Sequence, residues 1–416
     1  MKKFMTITLA AAIMFAVAGQ ASAAALETKA EFRARYWYTD KYFQTINPKA
    51  DNQVEWWDQR LRLFLTWPVA DGVKLQVRTD ILETMWGAQE AFGNNAIFGS
   101  ANQIDFDWVN MVVAIPSTPL TMTLGKQDVS WGPGVLANKD NRFRAKMAAK
   151  LDPVAVSLSW DKNAETLNGA TLVNGVQNQA DNDGVTLAVT AEAAGFKFGV
   201  LGLWSDDQTT SNIDKERFGG DAFAMGKAGP VDLSAEVAYI TGKNKVTGGK
   251  DVDQSGLLAY VGAKFLAGPA TIGAEVAYAQ GDKPGTAKNE GALRFDYQSP
   301  FWSVILFNNF DLPGWESTYT GDLSVGNAVA GKVSAAVKVM PALTLYAAGI
   351  YGQRLQETAK GAGNDEALGE EFDVIAMYSM TENVGVNVGF AYLLPGDAYG
   401  DLDNAWGATA QFNLTF

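Results

Sequence analysis

The chain of 416 residues contains no cysteine and no histidine. The first absence excludes disulfides, thiolate metal sites and lipid attachment through a lipobox cysteine. The second removes the commonest general base and the commonest metal ligand at neutral pH. An enzyme built from this sequence would have only carboxylates, Lys, Tyr and Ser to work with, so no enzymatic activity, cofactor or metal is expected. Beyond the N-terminal segment there is no run of eighteen apolar residues, which excludes membrane-spanning helices. Basic charge is also short: 33 Lys and Arg stand against 46 Asp and Glu, a net charge of −13. That balance argues against nucleic acid, whose binders carry a positive footprint.

What is present begins with a leader. Lys2 and Lys3 precede an apolar run from Ile7 to Ala18, and Ala21-Ser22-Ala23 forms an A-x-A cleavage site. Residues 1–23 are expected to be a secretory signal peptide, with residues 24–416 as a single mature domain. The apolar run is too short for a membrane anchor, since a helix needs about 20 residues to cross roughly 30 Å of hydrocarbon. The 42 glycines and 11% aromatics fit an all-β chain.

The mature chain alternates with a period of two. In "LETKAEFRARYWY", from Leu26, the odd positions Glu27, Lys29, Glu31, Arg33 and Arg35 carry every charge. "WWDQRLRLFLTW" sets Trp57, Leu61, Leu63, Leu65 and Trp67 against Asp58, Arg60 and Arg62, and "VKLQVRTDI" sets Val73, Leu75 and Val77 against Lys74, Arg78 and Asp80. "VDLSAEVAY" and "EEFDVIAMY" repeat the pattern. A helical period would mix these sets. Nine short connections rich in Pro and Gly, including Asp152-Pro153, Gly229-Pro230 and Ser299-Pro300, are separated by longer polar ones. Nine short turns, with both termini at the same end, imply about ten hairpins. The expectation is about eighteen to twenty strands, with sixteen as an alternative, and the least regular alternation at Ile104–Ile115 and Trp302–Phe310. Short turns at one end and long loops at the other are the pattern of a transmembrane antiparallel β-barrel. A soluble sandwich would alternate too, but it has no need of long loops at one end only. Trp57 and Trp67 share a face ten residues apart, which along a tilted strand is about 25 Å, the height of an outer-membrane apolar band.

The chain ends in "QFNLTF", which resembles the closing strand of Gram-negative outer-membrane proteins. "LTMTLGKQD", from Leu120 to Asp128, resembles the end of the fifth strand in general porins, with Gly125, Lys126 and Gln127 before the loop that folds into the channel. By that resemblance "VSWGPGVLANKDN" is the inward-folded loop, though less acidic than the family's. The short turns are then periplasmic and the long loops external. The likeness further implies an outer-membrane location, contact with lipid and lipopolysaccharide, and a homotrimer.

If the apolar faces meet lipid, the charges line a lumen, because a charge on the lipid face near the midplane costs about 2–4 kcal/mol. Residues 24–150 carry 15 Lys and Arg against 14 Asp and Glu, whereas residues 151–416 carry 16 against 32. The basic residues of the first strands fall on lumen parity: Arg33, Arg35, Arg60, Arg62, Lys74 and Arg78, then Arg142, Arg144, Lys146 and Lys150, with Lys126 at the start of the inward loop. Later strands point Asp232, Glu236, Glu275, Asp296, Glu371 and Asp373 inward. The expected wall has a basic early arc and an acidic later one, and fixed charges in a narrow pore set ion preference. The leading function is a porin that passes small hydrophilic solutes and ions by passive diffusion. The alternatives are a non-transport barrel (an adhesin, a structural protein or a sleeve for a partner protein) and a soluble carbohydrate-binding protein. "DVDQSG", from Asp251, begins like a calcium loop but has Gly262 at the twelfth position where Glu belongs, so it is read as a hairpin loop.

Overall fold

Side chains alternate across each strand, so a closed sheet can be apolar outside and polar inside only if its strands keep register. The computed structural model describes residues 26–41, 53–86, 104–164, 181–210, 212–296, 299–307, 325–356, 367–399 and 402–416. Residues 1–23, the expected signal peptide, lie outside the described residues. The strands are β1 (Glu27–Thr39), β2 (Val54–Ala70), β3 (Val73–Met85), β4 (Ile104–Ala114), β5 (Leu120–Val129), β6 (Asp140–Leu151), β7 (Val154–Ala164), β8 (Asn182–Ala193) and β9 (Phe196–Thr210). They continue with β10 (Ile213–Ala228), β11 (Val231–Val246), β12 (Val252–Ala267), β13 (Ala270–Ala279), β14 (Lys288–Asn289), β15 (Ala328–Met340), β16 (Leu343–Arg354), β17 (Ala367–Ser379), β18 (Val384–Pro395) and β19 (Ala405–Thr415).

Each long strand pairs antiparallel with its neighbours, and β19 closes on β1 from Glu31 opposite Thr415 to Thr39 opposite Gly407. The two-residue β14 is different: it runs parallel to β12 and is no part of the wall's succession, because β13 pairs directly with β15. The described residues therefore form a closed barrel of eighteen wall strands. Eight short turns lie at one end, and the C-terminus is tied there too, with the Thr415 N–H donating to the Asn383 carbonyl at 2.9 Å.

Two expectations are corrected. Ser299-Pro300 is no wall turn, and residues 301–307 are no wall strand; both belong to the long connection between β13 and β15 and lie buried. One hairpin fewer turns twenty strands into eighteen. Asp296 lies on the same connection rather than on a strand. By contrast, the irregular segment at Ile104–Ile115 does form β4. "DVDQSG" is mostly the first residues of β12 rather than a loop.

Large apolar side chains stand exposed all around the outer face, among them Phe143 on β6, Leu187 on β8, Val261 on β12, Val333 on β15 and Phe412 on β19. Aromatic rings cluster near the loop end: Tyr36 packs 5.3 Å from Trp57, Trp57 stacks 5.0 Å from Trp86, and Tyr38 lies 4.7 Å from Trp406. Rings at such a level suit a membrane interface, where one edge is apolar and the other wet.

The apolar core lies inside the barrel. Phe295, Phe301, Val304, Ile305, Leu306 and Phe307 of the β13–β15 connection pack on Leu258, Ala277, Ala279, Ala330, Ile350 and Leu393 of the wall. Alanines at these inward positions leave room for the loop's larger side chains.

Candidate functional site

The inner face of β1–β4 brings five guanidinium groups together: Arg33, Arg35, Arg60, Arg62 and Arg78. Four carboxylates interlock with them. Arg35 Nε donates to Asp58 Oδ1 at 2.8 Å, and the Trp37 indole donates to Oδ2 of the same group at 2.7 Å. Arg62 meets Asp80 at 2.6 Å and Asp107 at 3.0 Å, and Arg78 meets Asp107 at 2.7 Å. Glu83 lies 3.2 Å from Arg33 and 3.5 Å from Arg60. In this weakly solvated wall the pairs hold one another rigid and leave little uncompensated charge.

Strict alternation does not deliver two of those carboxylates. Glu83 shares the parity of the outward Ile81, and Asp107 that of the outward Val109. Irregularities re-aim both. The register slips between Gln59 and Leu61, where Leu82 adopts φ 51° and turns Glu83 inward. A second slip opposite Arg78 and Thr79 inserts Asp107 as an extra residue. Bulges of this kind are the usual device for redirecting a side chain.

Arg142 and Arg144 on β6 also face inward. Asp161 accepts from Arg144 and lies 3.6 Å from Arg142, which also pairs with Asp140. Lys146 and Lys150 follow on the same face, and Lys74 stands on the inner face of β3 near the short turns. Lys126 is the exception. It is opposite Val109 and Phe143, both outward, so it stands on the outer face, and its Nζ donates to the Phe106 carbonyl at 2.8 Å. Gly125 and Gln127 take the inward places beside it.

The loop between β5 and β6 enters the barrel, as "VSWGPGVLANKDN" suggests. Gly134, at φ 100°, lets the chain fold back. Glu236 on β11 then accepts three consecutive N–H groups, from Gly134 at 3.2 Å, Val135 at 3.1 Å and Leu136 at 2.8 Å. Trp131 donates to Asp221 at 2.6 Å and packs edge-on to Phe223 at 5.0 Å. The loop thus reaches from β5 to β10 and β11.

The β13–β15 connection is held in the same way. Glu371 accepts from Ser303 Oγ at 2.7 Å and from the Ile305 and Leu306 N–H groups at 2.6 Å each, while Asp373 accepts from Val304 at 3.3 Å. Lys332 pairs with Glu275 at 3.1 Å and donates to the Trp302 carbonyl at 3.3 Å. Here the expected acidic arc is corrected. Glu236, Glu275, Glu371 and Asp373 do face inward, but all are at most 5% exposed. They hold loops and do not line a water-filled surface. Asp232, 3.4 Å from Lys227, and Asp296 stay partly open.

With the β11–β19 side filled, polar space remains along β1–β10. A cavity of about 600 Å³ lies between the first inward loop and β6–β10, bounded by Arg142, Arg144, Lys146, Lys197, Arg217, Asp161 and Asp207, with Trp131, Leu136 and Phe223. Lys146, Lys197 and Arg217 make no ion pair among the described residues. Excess positive charge therefore gathers here more than on β1–β3.

No protein-family model matches the chain, and no curated protein matches it. Solved structures do match. OpdO of Pseudomonas aeruginosa is 12% identical with a TM-score of 0.59, over 94% of this chain and 97% of that one. OccK8 (OprE) of the same organism is 11% identical at 0.58, over 94% and 98%, and OccAB4 of Acinetobacter baumannii is 13% identical at 0.56, over 95% and 99%. At such identities the likeness is one of fold, and it extends over nearly the whole of each chain.

Proposed function

We propose that the chain is an outer-membrane porin of a Gram-negative bacterium, passing small hydrophilic solutes and ions by diffusion. One observation carries this reading: the barrel is apolar around its outside, while its inside keeps a charged, partly open cavity between the first inward loop and β6–β10. The similarity of fold to OpdO, OccK8 and OccAB4 supports it. Fixed charges in such a passage act strongly on ions, because the surrounding wall screens them poorly.

The basic arc is retained in modified form. The arginines of β1–β3 are largely neutralised by Asp58, Asp80, Glu83 and Asp107, so they serve as a rigid polar ladder. The uncompensated cations Lys146, Lys197 and Arg217 set the preference for anions. The test is a reversal potential across a salt gradient. Replacing these three by Gln shifts it toward cations more than replacing Arg60 and Arg62 does; the opposite order contradicts the assignment.

The homotrimer implied by the general-porin resemblance gains no support from the wall, whose lipid-type apolar side chains run around its circumference. We take one chain to be a complete channel. The second reading, a non-transport barrel, draws on the β13–β15 connection, whose residues 301 and 304–307 are buried against the inner wall. Single-channel recording in a planar bilayer separates the two: discrete steps support the porin, and their absence from folded protein supports the other.

A further inference from the structure

Glu371 and Asp373 do not border the open cavity: they are 0% and 1% exposed, beneath residues 303–306 of the β13–β15 connection. We propose that they are nevertheless positioning residues for it, acting through that connection on the first inward loop; this rests on the channel reading. The link is continuous. Glu371 fixes Ser303, Ile305 and Leu306, the Ser299 Oγ donates to the Phe301 carbonyl at 3.0 Å, and the Ser299 N–H donates to the Asp296 carbonyl at 3.0 Å. The Asp296 N–H in turn donates to the Val135 carbonyl at 2.8 Å. Val135 is 0% exposed, and its own N–H goes to Glu236. The tip of the first loop is therefore held from two sides, by Glu236 on β11 and by Asp296 of the second loop. Leu136, the next residue, borders the open cavity. A wall carboxylate can thus set the width of a passage it does not line. A contiguous chain of hydrogen-bonded and packed groups can carry such coupling, and each link here is a defined contact.

The absence of cysteine makes the test direct, because one introduced thiol is the only reporter. Leu306→Cys reports on the part of the second loop that Glu371 holds and Leu136→Cys on the first loop. Each is placed in the wild-type background and with Glu371→Gln/Asp373→Asn, in folded protein checked by heat-modifiable migration on a detergent gel. A soluble maleimide should label both thiols about tenfold faster in the double variant, and the single-channel current should become noisier at an altered mean. Restoring Glu371 alone should return the Leu136→Cys rate most of the way. If Leu306→Cys speeds up while Leu136→Cys and the current stay unchanged, the loops are independent and the proposal is wrong. If neither rate moves, the carboxylates do not hold the loop, which also overturns it. Wild-type protein without channel steps would contradict the porin reading, whereas the labelling rates would still decide the coupling.

Discussion

Arg62 meets Asp80 and Asp107 at once, and Asp80 also lies 3.9 Å from Arg60. Removing one member of such a network leaves its partners buried and uncompensated, a loss of about 3–5 kcal/mol. Asp80→Asn is therefore expected to lower the denaturant midpoint of the folded barrel and to raise anion preference, both measurable on one preparation. A stability unchanged by this substitution would show that the ladder is solvated and not interlocked. The arginines were legible in the sequence, since parity alone places Arg33, Arg35, Arg60, Arg62 and Arg78 inside. Two of their partners were not. Glu83 and Asp107 reach the lumen only through bulges, and a bulge leaves no trace in a two-residue period. Lys126 shows the converse: its place beside Gly125 in a porin-like motif suggested the lumen, yet its strand parity puts it outside.

The first inward loop depends on Glu236, whose two oxygens accept three N–H groups. Glu236→Gln places a donor against those donors, and each unsatisfied buried N–H costs about 1–3 kcal/mol. The expected result is a loop of wider amplitude, read as a changed single-channel conductance in a barrel that still migrates as folded. Unchanged conductance would remove Glu236 from the site. Gly125 is a second element-level control. It holds φ 118° where β5 passes the Val109 carbonyl, and a Cβ there would strike that oxygen. Gly125→Ala is expected to cost about 1–3 kcal/mol and to lower the yield of heat-modifiable barrel; full yield at wild-type stability would contradict the close approach. At this scale the loop after β5 could be read from "WGPG" and its position after a porin-like strand end. The second inward loop could not, because Ser299-Pro300 imitates a wall turn. Its signal lay elsewhere. β13 ("ATIGAEVAYA") and β18 ("VGVNVGFAYLLP") are apolar on both faces towards their loop ends, where Ala277, Ala279, Ala391 and Leu393 are buried inward. A barrel strand apolar on its lumen side must have its inner face covered.

At the scale of the molecule, the eighteen wall strands among the described residues enclose a packed interior against β11–β19 and a charged space along β1–β10. Several inward carboxylates of this chain, whose net charge is −13, are buried as loop anchors, while Lys146, Lys197 and Arg217 border the open cavity. Light scattering in detergent should give one mature chain per particle, and a stable trimer would contradict the single-chain channel. The hairpin rhythm made the barrel legible; the strand number depended on one misleading Ser-Pro. The most direct test of the central claim is single-channel recording of the folded, purified wild-type protein in a planar bilayer. Discrete, reproducible conductance steps are the predicted result. Detergent-dependent, heat-modifiable protein that inserts without producing steps would contradict it.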